Sequence, residues 1–340
     1  MSARPCLRPV TGVTKLRRVA VAAYPIDAAV IVCAYTLDRW SVLAEAIEGV
    51  RRQARPPSEI VLVIDGNEEL LERASEAFTD ICVVANSHNS GSSGARNTGY
   101  DVSRASALVF LDDDAVPDPN WLEELVGPLS ERDVLGTGGL LTPVWEARRP
   151  DWLTDEFLWT VGCSYTGMPT SRSRVRNVIS ANMAVRRSVF EHTGGFESAL
   201  SRRATETGEV TGSAEETEFC IRALDRHPGC HWLYIPEARV RHHVAESRIT
   251  WDYFRARCVL EGRSKAIMVK FTGSRTGLHS ERAYVRSVIP RALVRELRVV
   301  ARGHRRGPPA FAGIIAGVGY TGSAYARARL AAWRRPGDRR

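Results

Sequence analysis

Ala107-Leu108-Val109-Phe110-Leu111-Asp112-Asp113-Asp114-Ala115-Val116-Pro117 decides the reading of this 340-residue chain. Five apolar residues run directly into three carboxylates. An uninterrupted apolar run of this length marks a strand buried on both faces, as in a parallel sheet, rather than an alternating surface strand. Three adjacent carboxylates at its end repel one another beside a low-dielectric core, which is unfavourable. A divalent cation relieves this. Oxygen donors at a strand end suit Mg²⁺ or Mn²⁺, which complete their coordination with substrate phosphates. A solvated acidic turn would need no ion, so the neighbouring sequence has to decide between the two.

Working outward, the apolar pattern recurs at residues 28–33 and 59–64, and more briefly at 81–84. Val42, Leu43, Ala46, Ile47 and Val50 fall at helical spacing behind Ser41 as N-cap, and Pro56-Pro57 stops that helix. A second helix is predicted over 68–78. A third follows the glycine-rich stretch 89–99 and runs to about Arg104. Strand and helix alternating at this spacing imply βαβ units: an α/β fold with a Rossmann-like, mostly parallel central sheet flanked by helices. The strands end in polar residues: Tyr35 and Asp38, then Asp65, then Asn86, then Asp112, Asp113 and Asp114. Ligands of open α/β sheets bind at the carboxyl ends of the strands. Four polar ends converging on one crevice favour the metal over the acidic turn.

Beyond Pro119 the pattern loosens. The expected elements are a helix over 120–129, a glycine-interrupted strand over 134–141 and long loops over 143–174. Strands at 175–179 and 182–185, one helical turn at 188–192 and a polar loop over 201–213 come next. A helix with an acidic front covers 215–226, a strand covers 232–235, the segment 239–244 contains His242-His243, and a longer helix covers 251–269.

Hydrophobic content of 44% and charged content of 25% are ordinary for a globular protein. Seven cysteines without a C-x-x-C pair argue against a disulfide framework or zinc site and for a reducing, cytoplasmic location. Residues 1–27 read as an arm without the apolar core of a secretory signal. Net charge is +8, concentrated at the end: from Arg282 onward, fourteen Arg face Glu296 and Asp338. Residues 271–340 therefore form a helical, basic extension suited to a membrane surface, an anionic acceptor or plain solvation. Residues 307–326 are uncharged, yet five Gly and two Pro argue against a membrane span. A helix lying on an anionic membrane, or packing against the domain, is expected instead. Interleaved aromatics and a nucleic-acid reading motif are missing, so nucleic acid is not an expected partner.

Five motifs, in order, give the chain its resemblance to a family. They are Val32-Cys33-Ala34-Tyr35-Thr36-Leu37-Asp38-Arg39, Val63-Ile64-Asp65-Gly66-Asn67, the Asn89 to Gly99 stretch with its Ala95-Arg96-Asn97, Phe110-Leu111-Asp112-Asp113-Asp114 with Pro117, and Gly194-Gly195-Phe196-Glu197 followed by Glu215-Glu216. Together they resemble the inverting GT-A glycosyltransferases of family 2 over 28–270, with 28–118 as the nucleotide-sugar half and 119–270 as the acceptor half. The resemblance implies transfer of a sugar, with inversion, from a nucleotide-diphosphate sugar (UDP- or dTDP-sugar) to a hydroxyl acceptor, using Mn²⁺ or Mg²⁺. The acceptor classes are a glycan, a glycolipid or a small-molecule natural product. The basic tail adds peripheral contact with the inner face of the plasma membrane.

The same resemblance implies residue roles. Asp112, Asp113 and Asp114 look like the D-x-D motif, with Asp114 on the metal, Asp112 on the metal or ribose, and Asp113 beside the donor. His242 resembles the metal-ligating histidine of GT-A enzymes, with His243 as competitor. Asp65 resembles the aspartate that accepts a base N–H; otherwise it caps the helix behind it. Ala34 and Tyr35 would line the base pocket, with Asp38 and Arg96 near the nucleotide. Glu216 would be the general base, with Glu215 as alternative, although the family usually carries Asp there. Asn182, Gly194, Gly195 and Phe196 would shape the sugar and acceptor pocket. An inactive GT-A binding or scaffold protein is the competing class, disfavoured by the intact metal cluster and acidic pair. A nucleotidyltransferase would need a glycine-rich basic loop after the first strand, and residues 33–40 are not one.

Overall fold

The structure, a computed structural model, describes residues 26–200, 203–204, 210–211, 214–272 and 278–333. Strand β1 (Ala28–Ala34) lies between β2 (Glu59–Ile64) and β4 (Ala107–Asp112), parallel to both, and β3 (Cys82–Ala85) extends the sheet beyond β2. The uninterrupted apolar runs are explained by burial on both faces. Val30, Val32, Leu62 and Val109 pack under α1 (Trp40–Arg51) and α2 (Glu68–Ala77). Ile31, Val61 and Phe110 pack on the opposite side, beneath α3 (Ser92–Val102). There a Cβ on Gly99 would lie 2.3 Å from Ile31 Cγ2, so glycine lets α3 approach the sheet. The 89–99 stretch is therefore mostly helix rather than a loop before one. Helix α1 begins at Trp40, behind a 3-10 turn capped by Thr36, so Ser41 is not its cap.

The second half continues the same sheet. β5 (Ala115–Pro117), which was not expected, and α4 (Trp121–Val126) lead into β6 (Val134–Trp145). A 3-10 segment (Asp155–Val161) and β7 (Ser173–Val175) occupy the region expected as long loops. β8 (Asn182–Arg186) runs antiparallel between β4 and β6 and leads into α5 (Arg187–Thr193). β9 (Arg203–Ala204) and β10 (Val210–Thr211) pair; the rest of the polar loop 201–213 lies outside the described residues. Helix α6 (Glu215–Arg226) precedes β11 (His231–Val244), which extends the strand expected at 232–235 through His242-His243. A register shift between Ile235 and Arg239 divides β11 at Pro236, which has no N–H for the ladder. The nine-stranded sheet is mixed: six strands share one direction, and β5, β7 and β8 run against them.

The tail adds α7 (Trp251–Thr272) and α8 (His279–Ala283), which continues through a π-turn into α9 (Ile289–Ala301); α10 (Gly307–Trp333) follows. Ile289, Ala292, Phe254 and Ile314 share a third core with Leu153, Phe157 and Val161. The uncharged 307–326 segment packs along α7, so closely that a Cβ on Gly262 would lie 2.3 Å from the Thr321 carbonyl. Of the two expectations for that segment, packing holds. Among the described residues no helix is long and apolar enough to cross a membrane.

Asn182 is placed differently from its expected pocket role. Its side chain is fully buried, accepts from Trp121 Nε1 at 2.7 Å, and donates to the carbonyls of Leu140 (3.2 Å) and Ala238 (2.9 Å). It ties β8 to β6, β11 and α4. Asn182→Ala leaves an indole N–H and two carbonyls unpaired, and is expected to cost about 3 kcal/mol of stability. Urea unfolding would show this as a lower midpoint.

Candidate active site

Register aligns the strand ends. Ala34 stands beside Ile64 and Cys33 beside Asp112, so Tyr35, Asp65 and Asp112 leave the sheet at one edge. The Asp65 N–H bonds the Ala34 carbonyl at 2.8 Å. Its carboxylate takes Asn86 Nδ2 and the Gly91 N–H, each at 2.7 Å, which fixes it between β3 and the start of α3. Asp65 is not the cap of α2: Asn67 Oδ1 accepts the Leu70 N–H at 2.9 Å. Tyr35 is 53% exposed, and its hydroxyl accepts from Arg39 Nη2 at 3.1 Å. Asp38 is exposed on the 3-10 turn that follows, where its N–H bonds Thr36 Oγ1.

β4 ends at Asp112, and the chain turns through Asp113 and Asp114 into β5. β5 pairs with β11 so that Ala115 faces His242, and the His243 N–H bonds the Asp114 carbonyl at 2.7 Å. This pairing brings buried His242, not His243, to the carboxylates: His242 Nε2 is 3.1 Å from Asp114 Oδ1. Asp114 Oδ2 takes Arg39 (2.9 Å) and Arg248 (3.1 Å), while Arg39 also reaches Asp113 Oδ1 at 2.7 Å. Burial, with Asp114 beside it, pushes Asp113 up to about 7. Burial would raise Asp114 too, but His242, Arg248 and Arg39 outweigh it and hold its carboxyl well below the usual range. Burial disfavours charge on His242, yet Asp114 prevails and lifts it to about 10.

Asp112, Asp114 and His242 each offer a ligand atom within 4.8 Å of the others. Asp114 Oδ1 is buried, and among the described residues its partner is the His242 ring. Its 3.1 Å separation from His242 Nε2 matches neighbouring ligands of an octahedral ion with bonds of about 2.1 Å. Two carboxylates and an imidazole suit Mn²⁺ or Mg²⁺, so the residues fit a divalent metal.

Across the crevice, α6 opens with Glu215, Glu216 and Glu218 in its first turn. Glu215 Oε1 accepts from Ser92 Oγ (2.9 Å) and Arg96 Nη1 (3.2 Å). Arg96 is buried rather than solvated, and its other arm reaches Asp112 Oδ1 at 3.2 Å. One guanidinium thus joins the acidic pair to the strand-end cluster. No ion pair engages Glu216 among the described residues; burial, then the charge on Glu215, pushes it up to about 8.

Glu218 has another task. It pairs with Arg222 at 2.7 Å, and Arg222 bonds the carbonyls of Gly195 (2.8 Å) and Thr193. Gly194 (φ +89°) and Gly195 (φ +66°) end α5 in a left-handed turn that glycine adopts without strain. The Phe196 ring is buried against Phe110, Phe190 and Phe219. Of these three residues, expected to line a pocket, the two glycines form the turn and Phe196 packs in the aromatic core. Arg39, Arg248 and Ser92 were missed, and Asn86, read as a polar strand end, had no partner assigned to it. Arg39 stood in the first motif without a role, and Arg248 follows His242 with no pattern to mark it.

The profile of glycosyl transferase family 2 matches residues 29–194. The glucosyl-dolichyl phosphate glucuronosyltransferase of Haloferax volcanii is 34% identical over 243 residues, covering 70% of this chain and 76% of that protein. The chain belongs to glycosyltransferase family 2. This family-2 enzyme is also 27% identical over 186 residues to the pre-mycofactocin glycosyltransferase of Mycobacterium tuberculosis, covering 54% of this chain and 37% of that one. GalNAc-T7, crystallised with UDP, GalNAc and Mn²⁺, aligns with a TM-score of 0.53 at 17% identity, over 88% of this chain and 58% of its own. At that identity the likeness establishes the GT-A fold alone. The family-2 chain is thus a glycosyltransferase with a candidate metal site of Asp112, Asp114 and His242.

Proposed function

We propose that the enzyme moves a sugar from a UDP- or dTDP-sugar to a hydroxyl acceptor with inversion, and that Glu216 takes the acceptor proton. One observation carries this reading. Glu215 is committed to Ser92 and Arg96, whereas Glu216 beside it has no ion pair among the described residues and a carboxyl pushed up to about 8, suited to proton abstraction. The acceptor oxygen attacks the anomeric carbon, Glu216 accepts its proton, and the bonding pair to the old substituent leaves with the nucleoside diphosphate. A Mn²⁺ or Mg²⁺ held by Asp112, Asp114 and His242 would supply positive charge for that leaving group. Arg39 and Arg248 border the same carboxylates and add donors for phosphate oxygens.

Asp65, held by Asn86 and Gly91, would accept the N3–H of uracil or thymine beside Ala34 and Tyr35. Residues 28–118 then form the donor half, 119–270 the acceptor half and 271–340 a basic extension. The Haloferax relative is named for a glucosyl-dolichyl phosphate substrate. A sugar-bearing lipid is accordingly the proposed acceptor, ahead of a free glycan or a small natural product. Melting the protein with UDP-, dTDP- and GDP-sugars tests the donor. A rise in melting temperature with a uridine or thymidine sugar and Mn²⁺, erased by EDTA, is expected. A rise with the GDP-sugar alone would refute the base assignment.

A further inference from the structure

We propose that α9 docks the protein on an anionic lipid bilayer. This goes beyond the transfer reaction and is argued from the tail's own residues. One side of α9 belongs to the protein: Ile289 and Ala292 enter the third core, and Arg295 reaches back to Glu156 at 2.8 Å. The other side is different. Val294, Leu297 and Val300 are 47%, 51% and 38% exposed, a concentration of large apolar surface on one short helix. Arg291, Arg298 and Arg302 are exposed along the Val294 edge of that strip, at three-, four- and seven-residue spacings that put the three guanidiniums on one face beside it.

Charge identifies the occupant. Between His279 and Trp333 ten Arg stand against two acids, Glu281 and Glu296. Glu281 is held by Arg176 and Lys265, and Glu296 is buried and held by Arg295. Neither offsets the outward arginines. Among the described residues no ion pair engages Arg291, Arg298 or Arg302, and an apolar strip bordered by such guanidiniums matches a surface with anionic headgroups over a hydrocarbon interior. The uncharged 307–326 segment does not compete for this role, because it packs along α7 through Gly262 and against Trp152 through Gly313.

Co-sedimentation of the full chain with vesicles tests the surface without any donor or acceptor, so its outcome is separate from that of transfer. The chain is expected to pellet with phosphatidylcholine vesicles containing phosphatidylglycerol, to stay in solution with pure phosphatidylcholine, and to be released by high salt. Leu297→Asp should abolish pelleting while leaving the melting temperature unchanged. Removing each of Arg291, Arg298 and Arg302 should lower partitioning about fivefold. Failure to pellet with the anionic vesicles, or undiminished pelleting of Leu297→Asp and of the triple arginine variant, would overturn the proposal. So would a dimer that Leu297→Asp dissolves without affecting vesicle binding, since the face would then belong to a second copy.

Discussion

Glu216→Gln is expected to lower kcat by about 10²–10⁴-fold while leaving donor affinity nearly unchanged. The amide keeps the shape of the carboxyl and the Glu215–Arg96–Asp112 bridge, but cannot accept a proton. Stability supplies a second, opposite signature. The folded enzyme holds the Glu216 carboxyl at about 8 against 4.5 for the ordinary group, so it prefers the neutral form. That contribution is full below about 4.5 and is lost as pH rises through about 8. Glutamine never ionises, so the variant should melt above the wild type at alkaline pH, and the gap should close on acidification. The kcat/KM of the wild type should rise with pH and level off near 8, where the base is ionised. Glu215→Gln should behave differently: it weakens the hold on Arg96 and Ser92, and so lowers stability. Full transfer by Glu216→Gln would move the base to Glu215 or to the acceptor itself.

Asp114→Ala is expected to abolish metal-dependent donor binding and to destabilise the metal-free fold by about 3–5 kcal/mol. The carboxylate is buried between His242, Arg248 and Arg39, and its removal leaves those cations facing one another. The pH dependence has a defined shape. Asp114 is held below its ordinary 3.8, so its contribution is present above that value. His242 is raised from 6.5 to about 10, so its contribution is full below 6.5 and fades as pH rises through 10. The difference in unfolding free energy between wild type and variant should therefore be widest between about 4 and 6.5. An equal loss at every pH would show that Asp114 stabilises by packing rather than by its charge.

The strands of the donor half were legible because burial on both faces leaves an unbroken apolar run, and the polar residues behind each run mark its end. His242 lies far along the chain from Asp112 and Asp114, and its place beside them was reached by family likeness rather than by spacing. The link that unites them, β5 pairing with β11, is three residues long and left no periodic signal. Arg39 and Arg248 were missed for a related reason: an arginine's partner is decided through space, and a solvated arginine looks the same in sequence. Asn182 and Phe196 sit where sequence does not place them: a polar or aromatic residue near a motif reads as functional, whereas the first bonds a buried indole and two carbonyls, and the second packs in the aromatic core. The uncharged segment 307–326 was ambiguous between membrane and protein until its glycines were seen to bring it onto α7.

The Mn²⁺ resonance signal, followed during titration with UDP, tests the metal-anchored donor site most directly. Wild-type protein is expected to quench the free-ion signal when UDP is present, and Asp114→Ala and His242→Ala should leave it intact. Equal quenching by both variants, or UDP binding to the wild type that EDTA does not weaken, would contradict a donor anchored through Asp112, Asp114 and His242.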